Sequence, residues 1–236
     1  MPESGRSGAA KAMKNPVPSP IRRSVPAWCI GVSALVLSIA AVGIQARHHA
    51  SRRFDYYLMS LSWAPTYCLT HTEDGAECSG KGYGFVLHGL WPQDEAGGYP
   101  ERCATQYDLS ADAIAKGRTV YPSERLMQHE WQEHGACTGL DPRTYFETAD
   151  RATATIRIPA ALEAPRSEQD LTADDIIGLF RSANPGIPED SITIACNRDA
   201  FSEVRVCLTK DLHLRGCGRG VSIRCPRVAL RIPASR

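Results

Sequence analysis

Hydrophobic and polar positions change their rhythm along this chain, and each change predicts a different kind of element. Residues 54–63, FDYYLMSLSW, alternate aromatic and small positions and are rich in β-formers, which predicts a strand. APTYCLTHTEDGAEC then reads as a loop that Cys68 and Cys78 can close. GYGFVLHGLWP predicts a second strand, ending near Gly89 and broken by Pro92. Residues 93–110, with Gly97-Gly98 and Pro100, read as loop. The period then lengthens. Ser123 caps ERLMQHEWQEHGAC, Asp141-Pro142 opens a helix through RTYFETADRATA, and Thr172 opens another that Asn184-Pro185-Gly186 stops. Alternation returns in SITIACN, FSEVRVCLT and GVSIRC, three further predicted strands.

Strands bracket helices without regular β-α alternation. The predicted class is therefore α+β, a central antiparallel sheet with helices packed on it. Residues 27–44, AWCIGVSALVLSIAAVGI, carry no charge over 18 positions and follow Lys11, Lys14, Arg22 and Arg23. That layout predicts a signal peptide or signal anchor rather than a core helix, which would show a polar face. The organisation expected is a leader over 1–50 and one domain over 51–236.

Of nine cysteines, Cys29 lies in the apolar run, leaving Cys68, Cys78, Cys103, Cys137, Cys196, Cys207, Cys217 and Cys225. An even number suits disulfides in an oxidising compartment. Structural zinc is the competing use, but no C-x-x-C pair occurs. The net charge of +1 hides an asymmetry. Residues 1–46 hold five basic residues and one acid, so the remainder has 22 basic and 25 acidic residues, a net of −3. That argues against tight nonspecific duplex binding, which needs many phosphate contacts.

The densest chemistry lies in HEWQEHGAC, residues 129–137. It looks like the zinc-protease signature H-E-x-x-H, yet His129 and His134 are five apart. At about 100° per residue they diverge by roughly 140° and cannot share a zinc on an unbroken helix. The same arithmetic puts Glu130 and His134 on one face, where the carboxylate favours imidazolium. A surface i,i+4 pair is the plain alternative. Met127 and Trp131 flank that face and are expected to pack inward. His88, followed by Gly89 and Trp91, is the second candidate, with a buried structural histidine as its alternative. Two placed histidines suit a general base and a general acid. There is no G-x-S-x-G and no P-loop. With RNA, the substrate's own 2′-hydroxyl is the nucleophile, so none is required of the protein.

FVLHGLWPQ and HEWQEHGAC resemble the two active-site segments of the ribonuclease T2 family. LSWAPTYC, LTADDIIGLFRSANPG and SEVRVCLTKDLHLRGC extend the resemblance over approximately residues 52–226. It implies cleavage of single-stranded RNA without metal or cofactor, through a 2′,3′-cyclic phosphate. His134 would be the base and His88 the acid. Glu130 would support the charged transition state or orient His134, His129 would contact phosphate, and Trp91 would stack on a base or wall the pocket. The resemblance also implies disulfides Cys68–Cys78, Cys103–Cys137, Cys196–Cys225 and Cys207–Cys217.

Two positions depart from the family pattern. Glu133 stands where a lysine usually precedes the second-segment histidine, and Gln93 stands where an Asp often helps read the base. Glu133, four after His129, is expected to pair with it, and Arg125 or Lys81 is expected to compensate; Tyr99 is a candidate base-stacking residue. The expectation is a monomeric, exported endoribonuclease, periplasmic or secreted, touching the membrane only through an uncleaved leader. Two other readings stay open: a fold-retaining RNA-binding protein with weakened activity, and a metallohydrolase.

Overall fold

The computed structural model describes residues 53–235. The apolar run 27–44, Cys29 and the expected leader boundary lie outside the described residues. In chain order the first elements are β1 (Tyr56–Trp63), α1 (Ala64–Tyr67), α2 (Gly75–Cys78) and β2 (Phe85–Gln93). Next come α3 (Ala111–Gly117), α4 (Glu124–Glu133), a 3₁₀ turn (Gly135–Cys137), α5 (Pro142–Thr153) and α6 (Ala160–Glu163). The last are β3 (Gln169–Leu171), α7 (Ala173–Ala183), β4 (Ile192–Asn197), β5 (Ala200–Leu208) and β6 (Leu230–Ile232). The class is α+β, as expected. Among the described residues no helix is long and apolar enough to cross a membrane.

β1 pairs antiparallel with β2 on one side and with β5 on the other. β4 joins β5 antiparallel, β6 meets β5 in parallel at Ala200 and Arg231, and β3 closes the order antiparallel to β6. The sheet is therefore mixed at one pairing rather than wholly antiparallel. Its two faces are separated by the period-two rule. Tyr57, Met59, Leu61 and Trp63 enter the main core with Met127, Trp131, Phe146, Ile176 and Phe180. Tyr56 and Leu58 point the other way, into a small cluster with Cys207.

The helices form where the caps predict them. The Ser123 side chain accepts from the amide of Leu126, and that of Asp141 from Thr144 with Pro142 in the first turn. Thr172 and Asp175 make a capping box. Each helix buries a stripe: Met127 and Trp131 on α4, Tyr145, Phe146, Ala149 and Ala152 on α5, Ile176 and Phe180 on α7.

The structure corrects several predicted boundaries. β2 does not stop at Gly89 or break at Pro92; it runs to Gln93. It is an edge strand, where a missing amide leaves no partner unsatisfied. The predicted loop over 64–78 holds the single turns α1 and α2. GVSIRC is not a strand. It meets the outer edge of β4 at a single bridge, Arg224 to Ala195, and Ile223 is exposed. α3, capped by Ser110, and the three-residue β3 and β6 were not anticipated. All four disulfides have the expected pairing.

Candidate active site

The site is built on one face of the β2–β1–β5 ladder. On a straight strand, residues three apart face opposite sides, so His88 and Trp91 would be separated by the sheet. The register prevents that. Ser60 pairs with Gly89, but Leu61 pairs with Leu87, leaving His88 as the extra residue of a β-bulge. Leu87 and Leu90 are thereby both buried in the main core, while the rings of His88 and Trp91 meet edge to face at 5.1 Å. Across β1, Ser60 lies opposite Arg205 and Ser62 opposite Glu203. This puts both charged residues of β5 on the site face.

Helix α4 supplies the other wall. Glu130 is fully buried, and its Oε2 accepts the indole N–H of Trp91 at 2.8 Å. Its Oε1 has no hydrogen-bond partner and lies 3.6 Å from His88 Nε2. A Cβ on Gly89 would lie 2.0 Å from Glu130 Oε2, so only glycine leaves room for this junction. α4 ends at Glu133. His134 is its C-cap, with φ −128° and ψ −48°, so a helical projection does not apply to it. Its ring lies 5.2 Å from that of Trp91 and 6.0 Å from that of Tyr99. Trp91 thus adjoins both His88 and His134.

The proton affinities of the two histidines are shifted in opposite directions. For His88, burial opposes the charge. The 2.8 Å hydrogen bond between Nδ1 and Glu203, with the charges of Glu130 and Glu203, outweighs burial and raises the pKa above 6.5. For His134, burial and then the positive charges of His88 and His129 lower it to about 4. Its Nδ1 is buried without a partner. Glu203 is pushed up by burial, but His88 and Arg205 overcome this and hold it at about 2. Glu130 is raised to about 7 by burial, against the pull of His88 and the Trp91 hydrogen bond.

Clefts open on both sides of this wall. One, of about 340 Å³, is lined by His88, Glu203, Tyr67, Glu77, Arg125 and His129. The other, of about 420 Å³, is lined by His134, Trp91, Gln93, Tyr99, Arg205 and Arg219. Among the described residues no cluster of three or more His, Cys, Asp or Glu is placed to hold a metal ion.

The structure brings together His88, Trp91, Glu130 and His134. It places His129 apart from His134, exposed in the His88-side cleft. Three expected contacts are corrected. Glu130 does not raise the pKa of His134; because α4 ends before His134, Glu130 serves Trp91 and His88 instead. Glu133 pairs with Arg102 at 2.7 Å, not with His129. Arg125 is drawn to Asp74 at 3.5 Å, and Lys81 lines a separate cleft with Arg166. Glu203 and Arg205 were missed. Charges spaced two apart on an otherwise apolar strand, SEVRV, were the signal available.

A family model described as "Ribonuclease T2 family" matches residues 54–217. A ribonuclease of Aeromonas hydrophila is 42% identical over 177 residues, covering 71% of this chain and 77% of that protein. Ribonuclease 1 of Arabidopsis thaliana is 31% identical over 200 residues, covering 75% and 82%. Among solved structures, RNase NT in complex with 5′-AMP superposes with a TM-score of 0.59 at 26% identity, covering 78% of this chain and all (100%) of that one. An RNase-related protein from Calystegia sepium gives a TM-score of 0.64 at 23% identity, with coverage of 78% and 100%.

Proposed function

The chain belongs to the ribonuclease T2 family and is an endoribonuclease, and from that premise we propose that it cleaves single-stranded RNA by metal-free transphosphorylation between His88 and His134. The observation that carries this reading is that two imidazoles adjoin one indole, Trp91, at 5.1 and 5.2 Å, and their proton affinities diverge. His134, neutral above about pH 4, takes the proton of the substrate's 2′-hydroxyl. The 2′-oxygen bonds to phosphorus, and the bond from phosphorus to the 5′-oxygen breaks. His88, held protonated by Glu203, delivers the proton to that leaving oxygen. The products are a 2′,3′-cyclic phosphate and a free 5′-hydroxyl. In the second step His88, now neutral, takes a proton from water, the water oxygen bonds to phosphorus, the bond from phosphorus to the 2′-oxygen breaks, and His134 returns its proton to that oxygen.

Glu130 fits as a positioning residue in this scheme: buried, it holds Trp91 through Oε2 and sets Oε1 beside His88 Nε2. The two clefts accept the nucleotides on either side of the scissile bond, with Trp91 and Tyr99 as stacking surfaces. A structural neighbour, RNase NT, is a complex with 5′-AMP, which supports this use.

The deciding experiment is cleavage of single-stranded RNA by wild type, His88→Ala and His134→Ala, each with and without chelator, with the cyclic phosphate read directly. Cleavage by wild type in chelator and its loss in both variants is the expected result. Loss of wild-type activity in chelator would favour a metallohydrolase. No cleavage from about pH 4 to 8 would favour an RNA-binding protein with lost activity, a reading motivated by Glu133. Export through residues 1–50 is proposed with it. Four disulfides suit an oxidising compartment, and N-terminal sequencing of the exported protein tests leader cleavage.

A further inference from the structure

We propose that Arg205 is the cation that takes the negative charge of the transferring phosphoryl group, an inference that rests on the His88–His134 reading above. Phosphoryl transfer places charge on the non-bridging oxygens, and preorganised donors aimed at that charge supply much of the rate. The two histidines are committed to proton transfer. A fixed positive charge beside them must come from another side chain.

The cations near the site can be taken in turn. Arg102 is held by Glu133, and Arg125 is drawn to Asp74. Lys81 lines a separate cleft. His129 is exposed in the His88-side cleft, away from His134. Arg219 and Arg224 line the His134-side cleft, but among the described residues neither packs on Trp91 or bonds to a residue that holds the histidines. Arg205 does. Its guanidinium carbon lies 5.4 Å from the Trp91 ring centre, and that ring adjoins both His88 and His134.

Arg205 is also immobilised as such a role requires. Its Nε and Nη2 both donate to Glu203 Oε2, at 2.7 and 2.6 Å. The other oxygen of Glu203 accepts from His88 at 2.8 Å. Ser60 donates to the same Oε2 at 3.1 Å. One carboxylate therefore orients the acid and the guanidinium together. Nη1 makes no hydrogen bond among the described residues, and the side chain retains 25% exposure, with the His134-side cleft before it. A guanidinium with its back edge fixed and its front edge open suits a phosphoryl group, to which it presents parallel N–H donors.

A merely structural Arg205 would neutralise Glu203 and do nothing else. Its removal would then strengthen the hold of Glu203 on the His88 proton and move the alkaline limb of the rate profile upward, leaving the plateau intact. A catalytic Arg205 lowers the plateau itself. The test uses the full chain with Arg205→Gln and Arg205→Met. Arg205→Gln keeps a donor for Glu203 and is the variant to read if Arg205→Met does not fold. The substrate is a single-stranded RNA oligonucleotide, measured across the pH profile, with inorganic phosphate as competitive inhibitor. The expected result is a plateau kcat lower by about 100-fold or more, with phosphate inhibition weakened in parallel. A folded variant losing less than about tenfold in plateau kcat, or binding phosphate as wild type does, overturns the proposal. If wild type is active and His88→Ala and His134→Ala are not, that failure concerns Arg205 alone. If the histidine variants keep wild-type activity, the underlying site reading falls with it.

Discussion

Trp91 and Glu130 are joined by a 2.8 Å hydrogen bond that ties the edge strand β2 to helix α4 across the site, and Gly89 makes it geometrically possible. A methyl group at position 89 would lie 2.0 Å from the Glu130 oxygen and 2.2 Å from the indole nitrogen, so the two cannot meet around it. Gly89→Ala is expected to destabilise the fold by about 1–3 kcal/mol through overpacking. It should also lower kcat by at least tenfold, on the order of ~1.4 kcal/mol of transition-state energy. Trp91→Phe keeps an aromatic ring but leaves the carboxyl oxygen without its donor, which costs about 1–3 kcal/mol. Thermal melts and single-turnover rates check both, and a Gly89→Ala protein with wild-type rate would show that this junction is not needed.

The activity profile follows from the opposed histidines. His134 must be neutral, so the rate rises with pH through about 4. His88 must be protonated, so the rate falls as pH passes its raised pKa, above 6.5. Glu203→Gln removes the hydrogen-bonded charge that raises His88. The alkaline limb should therefore move to lower pH while the acid limb stays. A Glu203→Gln profile superimposable on wild type would refute the assignment of His88 as the acid.

Glu130 makes a separate stability prediction. Burial raises its pKa from 4.5 to about 7, so folding favours the neutral carboxyl. Its contribution is full below pH 4.5, weakens as pH rises, and is lost above about 7. Glu130→Gln retains an acceptor for Trp91 and cannot ionise. The variant should match wild type in acid and exceed it by about 1–3 kcal/mol above neutrality. Denaturant unfolding at both pH values is the measurement. Equal stability of the two proteins at high pH would mean that the His88 charge fully compensates the buried carboxylate.

Much of this arrangement is legible in the sequence where the cause is local. Ser123, Asp141 and Thr172 announce α4, α5 and α7 because capping is a matter of three residues. β1 is legible because both its faces are buried. His88, Trp91, Glu130 and His134 can be picked out, but their relation cannot. That His88 and Trp91 share a face depends on a bulge, and a bulge is defined against β1, not within β2. The expected Glu130–His134 pair fails because helical projection assumes that α4 continues through His134, where it has already ended. Glu203 and Arg205 stay hidden for a different reason. The Glu203–His88 contact spans 115 positions, and only the sheet order brings it together. GVSIRC shows the converse: alternation that meets its neighbour, β4, at one position yields a bridge rather than a strand.

The last prediction concerns how His134 is kept in place once its helix has stopped. Directly after it, Cys137 is bonded to Cys103, and Arg102 reaches back to Glu133 through both its backbone amide, at 2.9 Å, and its side chain, at 2.7 Å. The loop following β2 is thus fastened to the end of α4 twice. The contributions differ. Arg102 is 76% exposed, and an exposed ion pair is worth about 1 kcal/mol or less. The disulfide closes a separation of 34 residues, for which chain entropy gives ~4 kcal/mol. Cys103→Ser with Cys137→Ser should therefore lower the melting temperature markedly, and Glu133→Gln should barely move it. Activity separates positioning from stability. Well below its own melting temperature, the double serine variant should show a reduced kcat, because His134 loses its anchor, while Glu133→Gln keeps the wild-type rate. A double variant with unchanged melting temperature would remove the disulfide from the account of the fold, and one with unchanged kcat would remove it from the account of the site.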